Sequence, residues 1–282
     1  MDKLNQLNVL PVLLPEVAAL AGLEQSLPHH LDVLAHTCQT LEKWAALAAA
    51  GWPDVPQKYQ AALAGYLETP LAGGLSLQKL MPLAILLHDT GKLAARTEET
   101  PGQFRFIGHE KESAQIALAV AHRLRLSSQA TDFVEAVVRQ HMRPGWLVHQ
   151  KNVSRRAIFR FFRDTAGKGF EAGVAVALHA LADHDATFPP GAGKAERRAL
   201  VALVWRLLAD YFERHDQLVD PPLLLSGRDL IGELGLKEGK LIGQLLHRLK
   251  EAQAVGEVTS RAEAIDFIKS DPDFGDYRPG QL

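Results

Sequence analysis

Residues Leu80 to Leu87 are almost entirely apolar and run without a break into His88-Asp89-Thr90-Gly91-Lys92. So apolar a segment is buried on folding, and the polar cluster at its end is carried inward with it. A carboxylate in such a place is costly unless it is paired or bound to a metal. The chain must therefore fold around Asp89, with the compensating groups supplied by other segments. Gly91 suits the left-handed turn that ends a helix, which would hold His88 and Asp89 on the last turn and direct Lys92 back toward whatever they bind.

The remaining patterns are mostly helical. Leu31 to Ala50, Gln57 to Leu67, Leu77 to Leu87, Glu110 to Leu124, Gln129 to His141, Val153 to Phe162, Phe170 to Ala186 and Ala195 to Arg214 are compatible with a 3.6-residue period. Breakers fall between them at Gly51-Trp52-Pro53, Gly73-Gly74, Pro101-Gly102 and Pro144-Gly145. β-branched residues are sparse, and only Gln103 to Ile107 reads as extended. The expectation is an all-α helical bundle over residues 1–215, with metal-type motifs between 31 and 186, and a small helical tail over 216–282. Phe188 to Gly193 and Leu218 to Pro222 are the linker candidates. In the tail, Ser226 can cap a short helix, and Ser260 with Glu263 forms a capping box for the last one.

Composition removes several classes. With 47% hydrophobic and 23% charged residues over 282 positions, the chain has enough apolar material for a core and is not disordered. Its apolar runs, Ala45 to Ala50 and Met81 to Leu87, are too short to cross a bilayer, and the N-terminus does not read as a signal peptide. Cys38 is the only cysteine, so no intrachain disulfide forms, and the expected location is the cytoplasm. Against 31 basic residues stand 33 acidic ones, so bulk charge does not draw the protein to nucleic acid.

Other polar residues sit where a core is expected. His36 lies in the largely apolar Leu31 to Thr37, His109 follows Gly108 at a helix start, His141 ends the helix of Phe133 to Gln140, and Asp183 interrupts the apolar run Val174 to Ala182. Taken singly, each is an ordinary hydrogen-bonded core histidine, cap or ion-pair partner. As a set, imidazoles and carboxylates suit divalent metals, and ligands on separate helices can meet inside a bundle. Between Arg139 and Lys168 there are eight Lys or Arg residues and one acidic residue. Arg156, Arg160 and Arg163 form a helical stripe there, which is either a solvated face or a phosphate contact. Gly191-Ala192-Gly193-Lys194 is not a phosphate loop, because Phe188 and Ala195 stand where Gly and Ser or Thr belong.

The order His36, His88-Asp89, Asp183 resembles the metal-dependent HD-domain phosphohydrolases, and His109 with His141 resembles the branch that binds two metals. More closely, the chain is similar to the C-terminal HD region of bacterial tRNA nucleotidyltransferases, the CCA-adding enzymes. The similarity is carried by Leu13 to Gln25, Asp32 to Thr37, Leu86 to Lys92, Gly108 to Glu110, Gln140 to Pro144 and the tail Leu224 to Val258. The nucleotidyltransferase head of those enzymes has a Gly-Ser turn before an Asp-x-Asp pair. Asp183-His184-Asp185 and Asp271-Pro272-Asp273 have the spacing but not the turn, so nucleotide addition by this chain alone is not expected.

The resemblance implies one metal on His36, His88, Asp89 and Asp183, and a second on His109 and His141 with Asp89 shared. The ion would be Mn, Fe, Co, Ni, Zn or Mg. It also implies Asp89 and Lys92 as catalytic residues, with Lys92 donating to a phosphate. Arg143, beside His141, is the best further candidate for gripping that phosphate, followed by Arg156 and Arg160. The expected activity is metal-dependent hydrolysis of a nucleotide or RNA-end phosphoester, such as a 2′,3′-cyclic phosphodiester or a 2′-phosphate. The alternative is a non-catalytic tRNA-binding or partner subunit of a separately encoded nucleotidyltransferase. No membrane is implied. His29, His30, His122, His149, His179, His184, His215 and His247 match no ligand position.

Overall fold

In the computed structural model, which describes residues 9–275, the apolar periodic segments are helices and the strands amount to two short hairpins. The fold is an all-α bundle. Tertiary contacts divide it into two compact units, one running to Lys151 and joined by Asp164–Leu208, the other made of Asn152–Arg163 and the residues from Ala209 onward. The division therefore falls inside a helix, ahead of the boundary near 215 expected from the linker composition.

The first unit is built on helices α1 (Val33–Ala49), α2 (Gln60–Leu67), α3 (Leu77–Leu87), α4 (His109–Arg123), α5 (Ser128–Gln140), α6 (Arg143–Val148), the end of α7 (Arg155–Thr165), α8 (Gly173–Thr187) and most of α9 (Lys194–Glu213). Asp32 caps α1 by accepting from the Ala35 amide at 2.7 Å, and Ser127 caps α5 through the Ala130 amide. α4 packs along α5, α8 along α1, and α3 against both α1 and α5. Ile85 and Leu87 of α3, Phe133 and Val137 of α5, and Ala177 and Leu178 of α8 are fully enclosed. Each large apolar side chain so placed contributes roughly 1.5–3 kcal/mol. α8 is buried on nearly every side from Gly173 to Ala182, the mark of a helix at the centre of a bundle.

Two extended pieces depart from the helical reading. Gln103–Arg105 is a strand as expected from its composition, and it pairs antiparallel with the polar, exposed Thr97–Thr100. Phe170–Glu171 pairs with Ala166–Gly167, so the helix expected from Phe170 begins only at Gly173. Gly169 turns this hairpin with φ near 76°, and the Phe170 ring lies over Gly167 where a side chain would collide with it.

Gly91 requires a correction. It is not in the left-handed conformation, since its φ is −72°. Its role is close approach: a methyl group there would run into the His109 carbonyl, the Ser113 amide and the Glu112 side chain on α4. Gly91 N–H donates to Ser113 Oγ at 2.8 Å, tying the turn after α3 to α4.

The second unit has its own core of Leu225, Leu230, Leu236, Ile242, Leu245, Leu249, Ala252, Val258, Ala264 and Ile268. Its helices are α10 (Gly227–Gly232), α11 (Lys240–Val255) and α12 (Arg261–Ser270), together with the first turns of α7. Ser226 and Asp229 form a complete capping box on α10. On α12, Ser260 accepts from the Glu263 amide, but Glu263 accepts from the Thr259 amide at 2.7 Å, one residue ahead of the position a standard box uses. The arginine stripe of α7 is half exposed but paired: Arg156, Arg160 and Arg163 all converge on Glu251 of α11, and Arg156 also binds Glu257.

Two outcomes follow from these contacts. Gly91→Ala should lower stability by about 2–3 kcal/mol, the usual cost of an overpacked site, measured as a shift in the urea midpoint. Glu251→Gln should cost about 1 kcal/mol at pH 7, because its arginines are partly solvated and screened. Burial raises the Glu251 carboxyl, but Arg160, Arg156 and Arg163 outweigh it and hold it below its ordinary 4.5. A depressed carboxyl stabilises above the unfolded value and loses that effect as pH falls through the folded one. The difference between wild type and Glu251→Gln should thus fade as pH drops below about 4.5.

Candidate metal centre

The polar residues picked out in the apolar segments meet at one place in the first unit. His36 stands one turn into α1, His88 terminates α3, His141 terminates α5, His109 opens α4 after Gly108 at φ 81°, and Asp183 lies in the last turns of α8. The C-terminal carbonyls of a helix lack intrahelical partners. Two of them are used here. His88 Nδ1 donates to the Ile85 carbonyl at 2.7 Å and His141 Nδ1 to the Val138 carbonyl at 2.7 Å. His109 Nδ1 donates in the same i−3 sense to the Phe106 carbonyl at 2.8 Å.

A carbonyl only accepts, so these bonds place the proton of each ring on Nδ1 and leave Nε2 as the inward-facing atom. The Nε2 atoms converge on Asp89, which is 2% exposed. Its Oδ2 lies 3.1 Å from His88 Nε2 and 3.7 Å from His36 Nε2, and its Oδ1 lies 3.3 Å from His109 Nε2 and 3.8 Å from His141 Nε2. Asp183 Oδ1 completes the first side, 2.9 Å from His36 Nε2 and 3.6 Å from His88 Nε2. The ligand atoms thus form two groups, His36 with His88 and Asp89, and Asp89 with His109 and His141, each within 4.8 Å.

This arrangement fits divalent cations on its own donor chemistry. His88 Nε2 is buried and makes no hydrogen bond among the described residues. His109 Nε2 and His141 Nε2 face each other at 3.2 Å, and both rings already use Nδ1 as donor. Lone pairs brought together in this way, around a buried carboxylate, call for positive charge between them. The titration behaviour says the same. Burial alone lowers His88, yet the Asp89 and Asp183 carboxylates outweigh it and lift the imidazole to about 10. Burial pushes Asp89 up, but His88 and Lys92 hold it well below the carboxylate range. His141 goes well below its ordinary value through burial and the neighbouring His88 and His109.

Lys92 points into the centre as its position in the turn implied. It is 5% exposed, and its Nζ lies 2.7 Å from Asp89 Oδ2 and 2.7 Å from Gln25 Oε1. The other cations are engaged elsewhere. Arg143 donates to Asp164 at 2.6 Å and to Gln140 at 3.3 Å. Arg156 and Arg160 belong to the second unit, where Glu251 holds them.

Two histidines that match no ligand position are nevertheless here. His29 packs edge-on to His36 with ring centroids 5.1 Å apart, and burial with the nearby Lys92 lowers it to about 4. His179 lies one turn before Asp183 on α8, edge-on to His88 at 5.0 Å, and both its nitrogens are buried without hydrogen-bond partners among the described residues. The i to i+4 spacing of His179 and Asp183 was the available signal. His184 stacks on Phe188 and lines the cavity beside the centre, and Asp185 pairs with Arg197.

Residues 71–161 match the HD domain, a span that holds His88, Asp89, His109 and His141 but neither His36 nor Asp183. The chain is 31% identical over 267 residues to a CC-adding tRNA nucleotidyltransferase of Thermus thermophilus, covering 94% of this chain and 51% of that protein. It is 30% identical over 271 residues to an A-adding tRNA nucleotidyltransferase of Deinococcus radiodurans, covering 94% and 52%. A multifunctional CCA protein of Halorhodospira halophila is 32% identical over 157 residues, or 52% of this chain and 30% of that one. The chain thus spans about half the length of the first two relatives. No helix of the described residues is long and apolar enough to cross a membrane.

Asp89→Asn, which keeps the shape and removes the charge, should reduce metal affinity at both groups by at least about a hundredfold, more than loss of an outer partner. His109→Ala should empty only the second group. Metal content per chain after dialysis distinguishes the two.

Proposed function

From a chain that carries an HD domain and is homologous along 94% of its length to tRNA nucleotidyltransferases, we propose a metal-dependent phosphohydrolase acting on a nucleotide or RNA-end phosphoester. The observation that supports it is the convergence of three Nδ1-anchored histidines on the two oxygens of one buried carboxylate. A binding module has no use for so costly a buried arrangement.

In this reading His36, His88, Asp89 and Asp183 hold one divalent ion, and Asp89, His109 and His141 hold another. Bound divalent ions polarise a phosphoryl oxygen and bring the pKa of water toward neutrality. The chain's own contributions are positional. The backbone carbonyls of Ile85, Phe106 and Val138 aim the imidazoles, and Asp89 ties the two groups together. Lys92, held by Gln25, donates from Nζ to the developing charge on a phosphate oxygen. Arg143 stays the next candidate, though a phosphate would have to displace Asp164 from it. For Arg156 and Arg160 the competitor is Glu251.

One observation favours a second reading, a tRNA-binding or partner subunit working with a nucleotidyltransferase: the similarity to the tRNA enzymes extends beyond the HD span into the second unit. The surface chemistry of that unit weighs against it. Arg248 is taken by Asp271 and Asp273, Arg261 by Asp229 and Glu233, and Lys250 by Asp220. Cations neutralised in this way release few counterions to RNA.

Manganese-reconstituted protein should hydrolyse 2′,3′-cyclic AMP, with Asp89→Ala and EDTA each removing at least about 99% of the rate, as loss of a metal's contribution implies. Absence of turnover across a metal series, together with tRNA retention at 150 mM salt (about physiological) in a filter assay, would favour the second reading.

A further inference from the structure

The cavity over the metal centre has a volume of about 1310 Å³, far more than a phosphate needs, and its mouth is apolar. Leu27, Ile107 and Trp146 line it from three separate segments and remain 88%, 79% and 51% exposed. Single exposed apolar side chains are ordinary on a protein surface. Three around one opening, above a floor of metal-type ligands, form a patch that a ligand would cover.

The chain ties each of the three to the floor. Ile107 is two residues before His109, and Leu27 is two residues after Gln25, whose amide oxygen receives Lys92. Trp146 is five residues beyond His141, on α6. Met142, one turn earlier on the same helix face, lines the same cavity. Trp146 and the residues of the centre therefore face one cavity.

Charge narrows the occupant further. Apart from the centre itself, the charged side chains lining the cavity are Arg105 and Lys111 against Glu110 and Glu196. Arg105 is already bound to Glu99 at 2.8 Å. A polyphosphate tail needs a surplus of cations, and this wall offers none beyond the centre. Recognition then falls to the apolar mouth, and the planar, weakly polar group that accompanies a phosphoester is a nucleobase.

We propose that the mouth is a stacking platform for one nucleobase, with Trp146 as its principal contact and Leu27 and Ile107 as its borders. Trp146 is a specificity residue in this assignment and takes no part in bond breaking. The stacking itself is independent of turnover, while its use in placing a phosphoester rests on the hydrolase reading.

The test uses the full chain and adenosine, an uncharged probe that carries the base without any phosphate, observed by saturation-transfer NMR in the presence of EDTA. Wild type and Trp146→Phe should bind it, and Trp146→Leu should bind at least about tenfold more weakly, the size of one lost stacking contact. All three should melt alike, since the side chain is half exposed. In turnover, Trp146→Leu should raise KM for 2′,3′-cyclic AMP by a similar factor and leave kcat within about twofold, as loss of uniform binding requires. Competition distinguishes the source of the base: displacement of adenosine by 2′,3′-cyclic AMP alone marks a free nucleotide, and displacement by a short RNA ending in a cyclic phosphate marks a strand end. Either supports the platform. No adenosine binding to wild type, or equal binding and equal KM in Trp146→Leu, overturns it. Adenosine binding lost in Trp146→Leu with no turnover of any phosphoester keeps the platform and removes the hydrolase reading.

Discussion

Asp89 is a carboxylate with almost no access to water, and the first unit is organised by the need to compensate it. The residue sits where the most apolar helix of the chain ends, so its burial follows from the burial of Ile85 and Leu87 beside it. Transfer of an isolated carboxylate into such a place is prohibitive. Four other segments answer by delivering a lysine or an imidazole to one of its two oxygens. The positions of α1, α4, α5 and the turn after α3 are thus constrained by electrostatics as well as by packing. Gly91 links the two requirements, because only a residue without a side chain lets the turn approach α4 closely enough for His109 to reach Oδ1.

Helix ends do a large part of the orienting. A helix C-terminus exposes carbonyls that have no partner, and α3 and α5 each spend one on the Nδ1 of the histidine that terminates them. The same bond finishes the helix, fixes the tautomer and points Nε2 at the carboxylate. This economy explains why His88 and His141 are found at helix ends and not in mid-helix. It also fixes the orientation of both rings toward Asp89.

The second unit obeys a different rule. Its core is ordinary aliphatic packing, and many of its arginines are paired with carboxylates, with Glu251 alone receiving three of them. The stripe on α7 was legible from its spacing, but its meaning was not. Spacing shows that Arg156, Arg160 and Arg163 share a face, and says nothing of the partner 90 residues further along. Only the placement of α11 against the start of α7 turns a candidate phosphate surface into a surface salt-bridge network within the unit.

Much of the first unit could be read before folding was considered. The helix Leu77–Leu87 ends where its apolar run ends, because a local pattern of burial has a local period. The ordered motifs, His36, His88-Asp89, His109, His141 and Asp183, identified residues that are polar in apolar surroundings, a property visible along the chain. What the chain could not reveal is which atoms meet. His179 carries in sequence only its i to i+4 spacing from Asp183, which places it on one helix face and says nothing of its partner; packing sets it against His88. Gly91 was legible as a required glycine and misread in its reason, since close approach depends on α4 and a left-handed turn does not. Sequence determined the helices and the chemistry of the cluster because both follow from local composition. The sharing of Asp89, the tautomers and the neutralisation of the arginine stripe were decided by tertiary structure, because each is a distance between residues far apart in the chain.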